Sequence, residues 1–281
     1  MGEYGIYDIN GQNDLTKLEF THDLGLIMSV VSGDDEVAKA YVVDNASLTD
    51  AQMLSLAVDE DIVVRRELAK SKHLSAEVIA LLCLDKVDIV RAYVLCNPLT
   101  DFSVFKAAVL AGKFSVATKK MLCSDLRAVS DIEVFKFLWE TVRGAQQILM
   151  NTLHVAATYH VLPVIDSKVI AFAHEEILSG EASNAVREVY AGSAGLARPE
   201  ILDGLKDDSC RPVINAIARN SASWVSTHEY LATKHRSSDI RTSIAMVTED
   251  NDLLNKMYHG TKSKDIRFWV EANPAFVNKE K

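Results

Sequence analysis

The hydrophobic positions of this chain recur at intervals of three and four residues, the spacing that places side chains on one face of an α-helix. They do not alternate with polar residues, as they would in half-buried strands. Only 12 glycines and 5 prolines interrupt the 281 residues. The pattern therefore predicts helix almost everywhere and an all-α fold.

A repeat of roughly 26 residues underlies this pattern. The pairs Val64-Arg65 and Val90-Arg91 are 26 residues apart, and similar pairs occur before and after them. We call the second residue of each pair the anchor position. The nine anchor positions are Lys39, Arg65, Arg91, Ala117, Arg143, Arg187, Ile214, Arg241 and Arg267. The residue before each anchor is apolar, which indicates one buried helix face that is repeated along the chain.

Each repeat is predicted to contain two short helices. Six residues after the anchor stands a residue typical of a helix end, as in Asn45, Ser71, Asn97, Ser193, Asn220 and Asn273. A leucine and cap-type residues such as Thr49 and Ser75 follow, and they mark the start of a second helix. Such short helices gain stability only by stacking on neighbours. We predict a right-handed α-solenoid of about nine two-helix repeats.

The period fails once, because 44 residues separate Arg143 from Arg187. This interruption predicts two blocks of regular repeats joined by a degenerate repeat, and the composition of the two chain ends predicts an N-terminal arm or cap and a tail. The corresponding ranges are residues 1–20, 21–150, 151–182, 183–277 and 278–281.

The pattern acidic-x-x-Val-Arg-x-x-Val-Ala-x-Asn-x-x-Leu resembles the leucine-rich repeat variant family and, more distantly, HEAT-like repeats. It is best seen in residues 60–82, 86–109, 183–205 and 263–276. The resemblance implies a solenoid that serves as a binding scaffold, and it implies no single function. Some members of the family carry an N-terminal cysteine cluster for an iron–sulfur centre. No cysteine precedes Cys83 here, so we do not expect that centre.

Composition narrows the choice of partners. The net charge of −9 opposes unspecific attraction to nucleic acid or to an anionic membrane. We find neither a secretory signal nor an apolar run that could span a bilayer, so we expect a cytoplasmic protein without a membrane partner. The four cysteines are too scattered for a zinc site, and we expect no metal and no cofactor.

The strongest candidate binding feature is the set of basic anchors, which we call the basic row. Its members are Lys39, Arg65, Arg91, Arg143, Arg187, Arg241 and Arg267. A functional interpretation makes the row a track for a phosphate backbone or an acidic peptide. A structural interpretation, which we favour, pairs each cation with a carboxylate of its own or the next repeat. Exposed aromatic residues such as Trp224, Tyr230 and Phe102 are further candidates for contact with a partner.

The sequence gives little support for a catalytic function. Trp139, Glu140 and Arg143 could be compared with the residues by which HEAT-like DNA glycosylases hold an alkylated base. Three histidines of the irregular segment, His154, His160 and His174, could line an enzyme site, but they lack a metalloprotease spacing. The sequence also contains no Gly-rich phosphate loop and no GxSxG motif.

We therefore predict a non-enzymatic scaffold that binds a protein or peptide on a concave face formed mainly by the second helices. A nucleic-acid-binding solenoid of the HEAT-like class is the alternative. It would require the basic row to be exposed to solvent.

Overall fold

A computed structural model describes residues 15–112, 114–159, 165–235 and 237–279. Within these ranges the chain is helical and contains no strand, so the predicted all-α class is confirmed. Much of the predicted arm (residues 1–20), residues 160–164 of the predicted junction and the last two tail residues lie outside the described ranges. No helix in the described ranges is both long enough and apolar enough to cross a bilayer.

The chain divides into two compact units, residues 1–127 (unit 1) and residues 128–281 (unit 2). Unit 1 contains a short 3-10 helix, Leu15–Glu19, followed by α1 (Leu24–Ser32), α2 (Glu36–Val42), α3 (Asp50–Ala57), α4 (Ile62–Leu68), α5 (Ala76–Cys83), α6 (Asp88–Cys96), α7 (Phe102–Ala111) and α8 (Val116–Ser124). The boundary between the units falls in α9 (Leu126–Ser130). Unit 2 continues with α10 (Ile132–Thr141), α11 (Ala145–Thr158), α12 (Ser167–Leu178), α13 (Asn184–Ala191), α14 (Pro199–Gly204), α15 (Arg211–Arg219), α16 (Val225–Lys234), α17 (Ser238–Val247), α18 (Asn251–His259) and α19 (Lys264–Ala272).

Alternate helices pack side by side in each unit. In unit 1 the helices that carry anchors, α2, α4, α6 and α8, contact one another in sequence, and we call them first helices. The intervening second helices α1, α3 and α5 do the same. In unit 2 the helices α11, α13, α15, α17 and α19 form one such series, and α10, α12 and α14 form another. Most of these helices thus pack on the next helix but one, and many also pack on a sequence neighbour, as expected for stacked helical pairs.

The apolar residues before the anchors lie in the cores of their own units. Ala38, Val64, Val90, Val186, Val213, Ile240 and Ile266 are all buried, with exposures of 3% or less. Val116 departs from this pattern and is 71% exposed. It is the first residue of α8, directly after the cap residue Ser115, and the buried position in that turn is taken by Thr118.

The anchor Arg143 does not lie in a first helix, contrary to the predicted repeat. Helix α10 ends at Thr141, and Gly144 then adopts a left-handed backbone conformation with a φ of 79°. Glycine adopts this conformation without a steric penalty. A new helix, α11, begins at Ala145, so Arg143 occupies the connection between two helices.

The polar residues six positions after the anchor connect successive repeats. The amide nitrogen of Asn97 donates to the carbonyl oxygens of Ala69 (3.0 Å) and Ser71 (2.8 Å) in the preceding repeat. Its side-chain oxygen accepts from the amide of Leu99 at 3.0 Å. Asn45, Asn220 and Asn273 make corresponding bonds with both ends of the side chain. These asparagines therefore tie one repeat to the next, in addition to ending a helix.

Two histidines are buried in the fold, and burial disfavours their charged form. His174 and His228 are 6% and 2% exposed, and burial lowers the pKa of both below 6.5. In the unfolded chain each ring binds a proton near pH 6.5, whereas the folded chain keeps it neutral. Acidification through this range therefore favours the unfolded state, because that state binds more protons.

We expect the free energy of unfolding to fall as the pH drops below about 6.5, by up to about 1.4 kcal/mol per pH unit for each histidine. Urea unfolding at a series of pH values measures it. Replacing His228 with phenylalanine, the residue present at the equivalent position 105, should make the decrease smaller. An unfolding free energy that stays constant in this range, or that falls equally in His228→Phe, would contradict the expectation.

Candidate functional site

The best-defined member of the basic row is enclosed by protein. The Arg65 Nε donates to Asp85 Oδ2 at 2.7 Å, and Nη2 donates to Oδ1 of the same carboxylate at 3.3 Å. Its Nη1 donates to the carbonyl oxygens of Asp59 (2.7 Å) and Glu60 (3.0 Å). Both charged side chains are only 5% exposed. Arg65 thus joins the turn before its own helix to the turn before the next first helix.

Two other members repeat this arrangement. Lys39 Nζ lies 2.7 Å from Asp59 Oδ2, and Arg187 Nε lies 2.7 Å from Asp208 Oδ2. Burial alone would raise the pKa of Asp208, but hydrogen bonds from the Arg187 side chain and the Cys210 amide lower it, and the lowering is larger. In each pair the carboxylate stands about 20 residues after the base, in the next repeat.

The remaining members have different surroundings. Arg91 donates to Asp88 of its own helix at 2.9 Å. Arg241 donates to the carbonyl oxygens of Ala232 and His235, and Arg267 donates to that of Thr261. Arg143 is exposed in the connection after α10. The seven bases therefore differ in their partners. Four face carboxylates, and five donate to backbone carbonyl oxygens: Arg65, Arg91, Arg187, Arg241 and Arg267. Arg143 and Arg267 are exposed to solvent.

The aromatic candidates also differ from one another. Trp224 is 47% exposed directly before α16. The Tyr230 hydroxyl donates to Asp207 at 2.6 Å, and the ammonium groups of Lys206 and Lys234 lie over its ring. Tyr230 is thus engaged in a polar cluster of its own unit, whereas Trp224 remains open to a partner.

Trp139 is a core residue of unit 2. It is 5% exposed, its ring stacks on Phe135 at 5.6 Å between centroids, and Phe172 meets it edge-on at 5.8 Å. Its Nε1 donates to Glu176 at 3.1 Å. Both the ring and its polar group are occupied, so no face is left on which a nucleobase could stack.

The candidate histidines have structural surroundings where they can be described. His174 Nε2 lies 3.1 Å from the Leu196 carbonyl oxygen, and the ring meets Tyr190 edge-on. His154 Nδ1 lies 3.4 Å from the Thr158 hydroxyl within α11. His160 lies outside the described residues.

A surface that we did not predict stands out in unit 1. Val58, Leu84 and Leu110 are 65%, 82% and 61% exposed, and they follow one another at intervals of 26 residues. All three stand at or near the C-terminal ends of second helices, α3, α5 and α7. We call this set the apolar ridge. The equivalent positions in unit 2 are Lys136, Lys206, Thr233 and Gly260. Stacking of the repeats therefore does not require an apolar residue there.

An open groove lies on one side of Leu84, between α5 and α7. It has a volume of about 590 Å³ and, apart from Arg91, apolar walls. The lining residues are Ala80, Cys83, Leu84, Arg91, Val104, Ala107, Ala108, Ala111 and Gly112. Burial raises the pKa of the Cys83 thiol to about 11, so this cysteine is a neutral part of the wall. We call this concavity groove A.

A second groove, groove B, lies on the other side of Leu84 towards Val58, and its volume is about 490 Å³. It combines an apolar floor with several charged residues. The lining residues are Ala57, Val58, Asp59, Glu60, Arg65, Leu81, Leu84, Asp85 and Lys86. Leu84 thus lines both concavities, although its exposed side chain contributes little to the core.

Within the described ranges, no three His, Cys, Asp or Glu side chains are grouped so that they could hold a metal ion. No protein-family model, curated protein or solved structure matches the chain. The function is therefore argued from the grooves and the apolar ridge themselves.

Proposed function

We propose that the chain is a non-enzymatic scaffold that binds a protein or peptide partner along the second helices of unit 1. The observation that carries this proposal is groove A, an open concavity with almost entirely apolar walls beside the exposed Leu84. Contiguous apolar surface on a soluble domain typically marks a site for another macromolecule. A groove of several hundred Å³ can hold the side chains by which a partner is anchored.

We propose further that the scaffold is a right-handed α-solenoid of about nine repeats, of the leucine-rich repeat variant or HEAT-like kind. Three kinds of link support it: contacts between alternate helices, buried asparagines, and ion pairs that reach from one repeat to the next. In a solenoid each repeat contacts only its neighbours, and nearest-neighbour links of this sort hold it together.

A protein partner fits these surfaces better than a nucleic acid. Nucleic-acid binding draws on cations that can meet phosphates, and the affinity scales with their number. Here the net charge is −9, and four members of the basic row already face carboxylates of the chain. The alternative of a HEAT-like nucleic-acid-binding solenoid would have to rely on the remaining cations against this charge.

Site-specific photo-cross-linking tests the proposal. A benzophenone amino acid at position 84 should cross-link one defined partner protein when the chain is exposed to the proteins of its own cell. The same group at position 178 is the matched control, because Leu178 is 67% exposed but lies in unit 2. Identical products from the two positions would contradict a site in unit 1. So would tight, salt-sensitive binding of a mixed-sequence oligonucleotide without any protein partner.

Once the partner is known, Leu84→Asp should weaken its binding at least tenfold. The substitution should change the free energy of unfolding by no more than about 0.5 kcal/mol, because the side chain is 82% exposed. Calorimetric titration and urea unfolding measure the two quantities. Leu178→Asp should leave the affinity unchanged, and equal losses in both variants would argue against groove A as the binding site.

A further inference from the structure

The spacing of the apolar ridge suits an α-helix as its occupant. Helices α3 and α5 pack against each other, and packed helices lie about 8–10 Å apart, so Val58 and Leu84 at their C-terminal ends are separated by about that distance. Seven residues of α-helix rise about 10.5 Å. A helix lying across α3 and α5 would therefore present apolar side chains of one face to Val58 and Leu84 in succession if they recur every seven residues, and Leu84 lines both grooves.

An extended strand does not match this spacing. Its side chains return to the same face every second residue, after about 6.7 Å, and again after about 13 Å. Three residues span about 10 Å, but the third side chain then points to the opposite face. The same-face spacing of a strand therefore fits the separation of Val58 and Leu84 less closely than the heptad spacing of a helix does.

The charges of groove B give the occupant a direction. Asp59 and Asp85 are paired with Lys39 and Arg65. This leaves Glu60 and Lys86 as the groove residues whose charges face solvent. The two are 26 residues apart, which is one step of the apolar ridge. A complementary helix would carry a basic residue near Glu60 and an acidic residue about one heptad away, near Lys86.

We propose, on the basis of the function proposed above, that the apolar ridge docks an amphipathic α-helix of a partner protein. The helix carries apolar residues at seven-residue intervals, with a basic residue at the Val58 step and an acidic residue at the Leu84 step. Recognition of this kind places an apolar helix face into an apolar groove, and the charges select its orientation.

Selection from a phage-displayed library of randomised peptides, biased neither to helix nor to strand, tests the inference. The full chain is the bait, and Leu84→Asp serves for counter-selection. We expect the enriched peptides to share an apolar heptad pattern, to become helical on binding, and to bind Leu84→Asp at least tenfold more weakly. Leu178→Asp should retain their full affinity. Fluorescence anisotropy gives the affinities, and circular dichroism of the complexes gives the helix content.

The outcomes separate the two proposals. Peptides that depend on Leu84 but bind in an extended form, or without a heptad pattern, would overturn the proposal of a helical occupant. They would still support the proposal of a peptide-binding groove. Absence of any peptide that depends on Leu84 would overturn both. A dimer of the chain, detected by light scattering and dissociated by Leu84→Asp, would replace the partner helix with a second copy.

Charge exchange tests the direction. Lys86→Glu should weaken the selected peptides about tenfold, and peptides in which the acidic residue is changed to lysine should regain most of that loss. Lys262→Glu, an exposed lysine of unit 2, is the matched control and should have no effect. Equal effects of Lys86→Glu and Lys262→Glu would mean that net charge, rather than a local contact, determines the affinity, and the proposed orientation would be wrong.

Discussion

Replacing Arg65 with methionine is expected to lower the free energy of unfolding by about 3–5 kcal/mol. Methionine reproduces the unbranched stem of arginine and lacks the guanidinium group. The carboxylate of Asp85, 5% exposed, would however remain buried after losing both hydrogen bonds from the guanidinium. The carbonyl oxygens of Asp59 and Glu60 would also lose their donor. An uncompensated buried charge is among the most costly changes in a folded protein.

Two further variants show that the cost comes from the buried charge. In Arg65→Met/Asp85→Asn the charge is removed and the amide oxygen can still accept from the Val87 amide, so much of the stability should return. Arg211→Met breaks an ion pair with Asp239 in which both side chains are 62% exposed, and it should cost no more than about 1 kcal/mol. Urea unfolding followed by circular dichroism measures all three. Similar costs for Arg65→Met and Arg211→Met would contradict the structural role.

This result also bears on the basic row. If Arg65 were part of a track for phosphates, its removal would change binding and leave stability nearly unaffected, as for most surface residues. Its enclosure instead assigns it to the links between repeats. The sequence contained this alternative, because the structural interpretation allowed a carboxylate of the cation's own or of the next repeat as the partner. The structure places the partner about 20 residues further on for Lys39, Arg65 and Arg187.

The helices themselves could be predicted because their signals are local. The spacing of apolar residues defines the buried face, so Val64, Val90 and Val186 could be assigned to a core from sequence alone. The prediction that Arg143 lies in a first helix was wrong for an equally local reason. Gly144 has a left-handed backbone conformation and separates α10 from α11, whereas the repeat was aligned on the anchor positions alone.

The apolar ridge was missed because exposure depends on what packs against a residue. Leu84 and Leu82 are both leucines near the end of one helix, yet they are 82% and 0% exposed. Sequence spacing alone does not distinguish such neighbours when a short helix is largely apolar. A signal was nevertheless present: apolar residues recur at 58, 84 and 110, and polar residues or glycine replace them in unit 2.

Replacing Asn97 with alanine is expected to lower the free energy of unfolding by about 2–4 kcal/mol. The side chain is 5% exposed and satisfies three backbone groups, two carbonyl oxygens of the preceding repeat and the amide of Leu99. Alanine fills none of these roles, so buried polar groups are left without partners. Each such group costs about 1–3 kcal/mol, less whatever water can recover.

The chain provides a matched control at the equivalent position of another repeat. Ser193 is fully buried, and its hydroxyl has no hydrogen-bond partner among the described residues. Ser193→Ala should therefore be neutral or slightly stabilising, because it removes a polar group that gains nothing from burial. If unfolding in urea shows equal costs for Asn97→Ala and Ser193→Ala, the position matters only for ending a helix. A large cost confined to Asn97 would show that the bonds to Ala69 and Ser71 hold successive repeats in register, which the grooves on the second helices require.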